Sequence, residues 1–187
     1  QFEQQGVRVF TKTNTGKGDT LNFALSKSKT ELFGALDADS FVAPDCLKKM
    51  VGYFDNNKVM AVTPSLKIWK PKTLWQHIQA IEFLLGVYLR KVFVHFGSIH
   101  VTPGPFTIYR KQFFDKYGKY DAENLTEDIE IALRIQSKNY IIENTIDGIV
   151  WTVGLTKLSA LAKQRKRWYL GFLNNVIDYK HLFSKKY

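Results

Sequence analysis

The chain has 187 residues, 45% of them hydrophobic, and its 27 lysines and arginines against 17 acids leave a net charge of +10. That length and composition exclude a disordered polymer and give room for one domain with a sizeable core, while the charge suits a polyanion, an anionic membrane surface or a phosphorylated small molecule. The lone Cys46 excludes an intrachain disulfide and a thiolate metal cage, which is compatible with a reducing compartment.

In chain order, residues 1–5 are polar and residues 7–10 are too short for the core of a secretory signal. Residues 7–10 read instead as a short strand. Gly16-Lys17-Gly18 reads as a loop entering a helix over 19–28. The apolar run 32–36, ending abruptly in Asp37-Ala38-Asp39-Ser40, predicts a buried parallel strand that delivers polar groups at its C-terminal end. Open α/β sheets gather ligands at that end. Pro44 opens a helix to about residue 54, and residues 59–64 read as a further strand.

Residues 73–96 are helical and aromatic-rich, with Arg90 and Lys91 among apolar neighbours, as in a core helix or one lying on a membrane surface. The longest stretch without Asp, Glu, Lys or Arg, 92–109, is broken by Gly97, Pro103, Gly104 and Pro105, so no membrane span is expected. A turn and strand over 104–109, a helix over 126–137, a strand at 140–142 and a long basic, aromatic helical region over 158–183 complete the chain. There is no internal repeat, low-complexity linker or clean domain boundary.

Four constellations can carry chemistry. Asp37 and Asp39, one residue apart at a strand end, can fan toward one hollow, where oxygen ligands suit Mg²⁺ or Mn²⁺ bridging to phosphates. A solvated turn, with Asp39 or Ser40 capping the next helix, is the plainer reading. Thr126-Glu127-Asp128 places acids in a first helical turn, where Asn124 or Thr126 can cap and the dipole favours negative charge. A partly desolvated Asp128 could instead act as a general base. In Gln164-Arg165-Lys166-Arg167-Trp168, helical spacing puts Gln164, Arg167 and Trp168 on one face. They combine an amide, a guanidinium able to grip a diphosphate and a flat platform for a sugar ring; a basic amphipathic helix on nucleic acid or lipid is the alternative. Lys17, in a Gly-flanked loop before a helix, is a phosphate contact or a solvated lysine, and the P-loop pattern is absent because Gly18 and Asp19 follow it.

Taken in order, Gly16 to Asn22, Asp37-Ala38-Asp39, Thr126-Glu127-Asp128 and Gln164 to Trp168 resemble the processive family 2 glycosyltransferases, such as cellulose, chitin, hyaluronan and poly-N-acetylglucosamine synthases. The resemblance implies an α/β, GT-A-like fold with a mixed, mostly parallel sheet flanked by helices. It also implies an inverting, metal-dependent transfer from a nucleotide diphosphate sugar, usually a UDP-sugar, to a carbohydrate or lipid-linked acceptor. Under it Lys17, Asp37, Asp39, Gln164 and Arg167 hold the donor and its diphosphate. Asp39 and Asp37 hold Mg²⁺ or Mn²⁺, Asp39 the more directly. Asp128 is the base with Glu127 beside it, and Trp168 and Gly104, in the loop 102–106, meet the acceptor.

Pro103 and Pro105 around that glycine depart from the family's loop, and nothing before Val7 supplies its first nucleotide-binding strand. The expected organisation is a partial catalytic domain over 1–155 and a basic amphipathic segment over 156–187 packed on it near a membrane. The catalytic face then lies on the cytoplasmic side. A nucleic-acid-binding domain is the alternative that the charge suggests, but it leaves the acidic pairs unexplained, so no nucleic-acid partner is expected. A non-catalytic membrane-surface module is the third reading.

Overall fold

A computed structural model describes residues 6–183; the polar start over 1–5 and the last four residues of the basic C-terminal region lie outside the described residues. The chain runs α1 (Lys17–Lys27), β1 (Leu32–Leu36), β2 (Ser40–Val42), α2 (Cys46–Val51) with a 3₁₀ turn at Gly52–Asp55, and β3 (Val59–Ile68). It continues through α3 (Leu74–His95), β4 (Phe106–Arg110), α4 (Lys111–Tyr117), α5 (Glu127–Ser137), β5 (Ile141–Thr152) and α6 (Leu158–Asp178), closing with a 3₁₀ turn at Lys180–Phe183.

The strands form one mixed sheet in the order β1-β4-β3-β5-β2. Parallel pairing does not predominate as expected. β3 and β5 pair in parallel, whereas β1–β4, β3–β4 and β2–β5 are antiparallel. The reason is that β4 enters between β1 and β3 against both. Strands β1, β3 and β5 therefore still run the same way, and their C-terminal ends share one rim. β1 is also an edge strand of this sheet and only Phe33 in it is buried, so the buried parallel strand expected at 32–36 is a half-covered antiparallel one.

Apolar alternation along the central strands builds a core on each face. Ala61 and Tyr109 point to one face, with Leu25 of α1, Phe113 and Phe114 of α4, and Ile131 and Ile135 of α5. Their sequence neighbours Val62 and Ile108 point to the other, with Cys46 and Met50 of α2 and with Val150. Period-two alternation is what places helices on both faces.

α3 begins at a capping box in which the Thr73 hydroxyl accepts from the Gln76 N–H and the Gln76 amide oxygen accepts from the Thr73 N–H. Its buried glutamines donate to the chain after β5, Gln76 to the Gly154 carbonyl at 2.9 Å and Gln79 to the Leu155 carbonyl at 2.8 Å. Residues 7–10 form no strand; Val7, Val9 and Phe10 stay about half exposed and Phe10 meets Phe23 edge-on instead. The helix expected from Pro44 to 54 tightens into 3₁₀ geometry at Gly52, and the helix expected to 183 ends at Asp178. β2 and α4 are elements that the sequence pattern did not announce.

Candidate active site

The common rim of β1, β3 and β5 collects the charged motifs. Asp37 follows β1 directly, its N–H donating to the Pro105 carbonyl at 3.2 Å, while its own carbonyl accepts from the Ser40 N–H at 3.0 Å. The turn 37–40 is thus tied to the loop before β4. α1 starts at Lys17, which extends over the same rim: its ammonium lies 2.8 Å from the Asp37 carboxylate and 3.4 Å from that of Glu127. Burial works against the Lys17 charge, but the Asp37 hydrogen bond and the charges of Asp37, Glu127 and Asp128 outweigh it and raise the pKa.

Glu127 and Asp128 open α5. Asp128 is fastened through its backbone, since its carbonyl accepts both the N–H of Thr102 at 3.0 Å and the Thr102 hydroxyl at 2.8 Å. Thr102 is fully buried and is held in turn by the Tyr109 hydroxyl at 3.0 Å. Burial pushes the Asp128 carboxyl from 3.8 up to about 6, with Glu127's charge adding to the rise and Lys17 and Arg167 opposing it. Gly104 completes the cluster: a Cβ there would sit 2.8 Å from Lys17 Nζ, 3.6 Å from an Asp37 oxygen and 3.8 Å from an Asp128 oxygen. Lys17, Gly104, Glu127 and Asp128, far apart in the chain, therefore share one small cleft, to which Asp37 is joined through Lys17.

The remaining expected residues stand around that cleft. Asp39 is exposed, with the Ser40 hydroxyl 3.4 Å from its carboxylate; neither it nor Ser40 caps α2, whose N-cap is Asp45. Arg167, on α6, donates to the Leu125 carbonyl at 2.8 Å, one residue before the Thr126-Glu127-Asp128 motif. Gln164 accepts from Arg165 at 2.7 Å, and the Arg165 guanidinium lies 4.2 Å from the Trp168 ring centre while pairing with Glu82 of α3. Arg165 was not among the expected site residues, and no local signal distinguishes it from Lys166. Thr126 occupies the N-cap position of α5 without capping it through its side chain, because its hydroxyl is taken by Asn175.

A larger hollow of about 490 Å³ lies at the opposite end of the sheet, beside Glu31, Arg110, Lys116, Tyr117 and Tyr140. Its Arg110 is already satisfied by Glu31 and the Phe54 carbonyl, each at 2.6 Å. Among the described residues no three His, Cys, Asp or Glu side chains converge as a ready metal cage. The hard oxygens of Asp37 and Asp39 do fit Mg²⁺ or Mn²⁺ of the kind that completes its shell with substrate phosphates and water.

Residues 33–186 match the family model described as glycosyl transferase family group 2. Over 180 residues, 96% of the chain and 38% of the relative, the sequence is 30% identical to beta-monoglucosyldiacylglycerol synthase of Trichormus variabilis. Over 166 residues, 87% of the chain and 40% of the relative, it is 29% identical to poly-beta-1,6-N-acetyl-D-glucosamine synthase of Staphylococcus epidermidis. The chain thus spans about two fifths of the length of the curated relatives it matches. The solved mannosyltransferase PcManGT of Pyrobaculum calidifontis, in complex with GDP-Man and Mn²⁺, superposes with a TM-score of 0.71 at 18% identity, over 92% of this chain and 45% of that one. Glucosyl-3-phosphoglycerate synthase of Mycobacterium tuberculosis superposes with a TM-score of 0.59 at 12% identity, over 88% and 56% of the two chains.

Proposed function

The chain belongs to glycosyl transferase family group 2 and has a GT-A-type fold, and on that premise we propose that its rim cluster transfers a sugar, with inversion, from a nucleotide diphosphate donor of the UDP-sugar type. The observation that carries this is Asp128, a carboxyl pushed to about 6 in the cleft that Lys17, paired with Asp37, also lines. A base poised near neutral pH is what removal of a hydroxyl proton requires. The Asp128 carboxylate accepts the proton of the acceptor hydroxyl. The acceptor oxygen forms its bond to the anomeric carbon as the bond from that carbon to the diphosphate oxygen breaks, and the nucleoside diphosphate leaves with the electron pair.

Lys17 and Arg167 supply positive charge beside the departing diphosphate. Lys17 pairs with Asp37 and Glu127; donor phosphates compete with those carboxylates for it. Asp37 and Asp39 would hold Mg²⁺ or Mn²⁺, which as a Lewis acid neutralises diphosphate charge. Gln164 adds an amide on the donor side. Gly104 keeps the floor of the acceptor side open, and the face of Trp168 away from Arg165 is left for an acceptor sugar. The acceptor class we assign is a carbohydrate or a lipid-linked acceptor, in keeping with the lipid and glycan products that the two curated relatives are named for. The division we assign is a catalytic part up to residue 155 and, after it, a basic segment whose helix α6 packs on that part.

Membrane association is supported by an apolar strip left open on α3, comprising Leu74, Ile81, Leu85 and Tyr88, and by Tyr169, Leu173 and Ile177 on α6, in a chain of net charge +10. Among the described residues no helix is long and apolar enough to cross a membrane. The test is transfer by the intact gene product in membranes, with a panel of nucleotide-sugars and with Mn²⁺ or a chelator. Release of nucleoside diphosphate that needs both a divalent ion and Asp128 supports the assignment; turnover equal in Asp128→Asn rejects it.

A further inference from the structure

Every fourth residue along one stripe of α6 meets the segment that carries the proposed base. Arg167 donates to the Leu125 carbonyl at 2.8 Å, Gly171 lies against Thr126, Asn175 bonds Asn124 and Thr126, and the Tyr179 hydroxyl donates to Glu130 at 2.6 Å. The contacts are unusually close at Gly171, where a Cβ would sit 2.3 Å from the Thr126 hydroxyl oxygen and 2.9 Å from Thr126 Cβ. Any side chain there lifts the helix off the turn.

Asn175 is wholly buried and its amide is fully used. Its oxygen accepts from the Asn124 amide at 3.0 Å. Its nitrogen, with two hydrogens to give, has three acceptors within reach: the Asn124 oxygen at 3.1 Å, the Thr126 hydroxyl at 3.0 Å and the Gly171 carbonyl at 2.9 Å. Burying an amide costs free energy that an apolar residue avoids, so a leucine would serve mere helix packing at least as well. What the amide adds is direction, because the Thr126 hydroxyl and the Asn124 amide must face it for its donors and its acceptor to be used. The same Asn124 oxygen accepts the Thr126 N–H at 3.0 Å, and Thr126 has a non-helical backbone at φ −141° and ψ 76° that helix propensity alone does not set.

We propose that Asn175 is a positioning residue: paired with Asn124, it clamps the Thr126 turn to α6, so that Asp128 on one side and Arg167 on the other are held as one unit toward the same substrate. This rests on the transfer-site reading above. α6 is then part of the catalytic frame, and loss of the clamp shifts the base relative to the diphosphate contact that α6 carries.

The test is steady-state kinetics of the intact gene product with Asn175→Ala, Asn124→Ala, Asn175→Asp, the exposed neighbour Asn174→Ala and Asp128→Asn, each corrected for folded fraction by melting. Misplacing a catalytic group by about an ångström costs on the order of 100-fold. Asn175→Ala and Asn124→Ala are therefore expected to lower kcat about 10–100-fold with donor KM within about threefold. Asn175→Asp, which sets a buried carboxylate against the Asn124 and Gly171 oxygens that the amide nitrogen faces, is expected to lose at least as much, and Asn174→Ala loses none. If Asn175→Ala does not fold, Asn124→Ala decides, since it cuts the same pair from a half-buried loop. Wild-type kcat per folded molecule in the clamp variants, with Asp128→Asn inactive, overturns the clamp alone. Full turnover in Asp128→Asn overturns the transfer-site reading and the clamp with it.

Discussion

Gly104 faces Lys17 so closely that a single methyl at residue 104 would stand 2.8 Å from the lysine ammonium. The atom displaced is the end of a flexible side chain, so the fold should tolerate Gly104→Ala within roughly 0.5 kcal/mol, as for ordinary surface changes. The Lys17 ammonium, however, must leave its place beside Asp37. Donor affinity of the intact protein should fall several-fold while melting hardly changes. Unchanged donor binding would remove Lys17 from the donor site.

Asp128 should be a site where function costs stability. Because burial raises its carboxyl from 3.8 to about 6, the folded state retains a proton that the unfolded chain releases between those values. Its ionisation therefore destabilises the fold above about pH 6, and the penalty fades as pH falls toward about 4. Two pKa units set an upper bound of roughly 3 kcal/mol. Asp128→Asn should melt higher than wild type near pH 8, by roughly 2–4 °C per kcal/mol for a domain of this size. The gap should close near pH 4, and turnover should fall about 10²–10⁴-fold. A lower melting temperature for the variant near pH 8 would show that the carboxylate stabilises the helix start instead.

Asp39 is exposed and free to meet an ion that arrives with the donor. Titration calorimetry with UDP should show Mn²⁺-dependent binding that weakens at least about tenfold in Asp39→Ala, the loss of one charged oxygen ligand, with the melting curve nearly unchanged. Equal affinity in the two proteins would reject Asp39 as a ligand.

Trp168 has one face covered by Arg165, whose guanidinium is held by Glu82 and Gln164. Only the other face is left for a sugar. Trp168→Ala should therefore raise acceptor KM with donor affinity unaltered, and Arg167→Ala should impair donor binding and turnover together. A Trp that serves as packing would instead lower the melting point, by up to about 3–5 kcal/mol if it acts as core, with ordinary acceptor kinetics in the folded fraction.

Local chemistry was enough to make parts of this protein legible from sequence. The helix after Thr73, the strand before Asp37, the acid-rich start of α5 and the basic face of α6 each follow from periodicity, capping or charge placement within a few residues. The ordered motifs likewise pointed to the family that the comparisons show. What the sequence could not decide was which surfaces meet. The insertion of β4 between β1 and β3, the edge position of β1, and the absence of a strand at 7–10 depend on pairing partners distant in the chain. The same holds at the site: Lys17 contacts Asp37 and Glu127 because α1 and α5 both open onto one rim, and Asn175 reaches Thr126 because a glycine one turn earlier lets two helices touch. Such contacts are set by the packing of whole elements, to which the residues on either side of each partner carry no local signal.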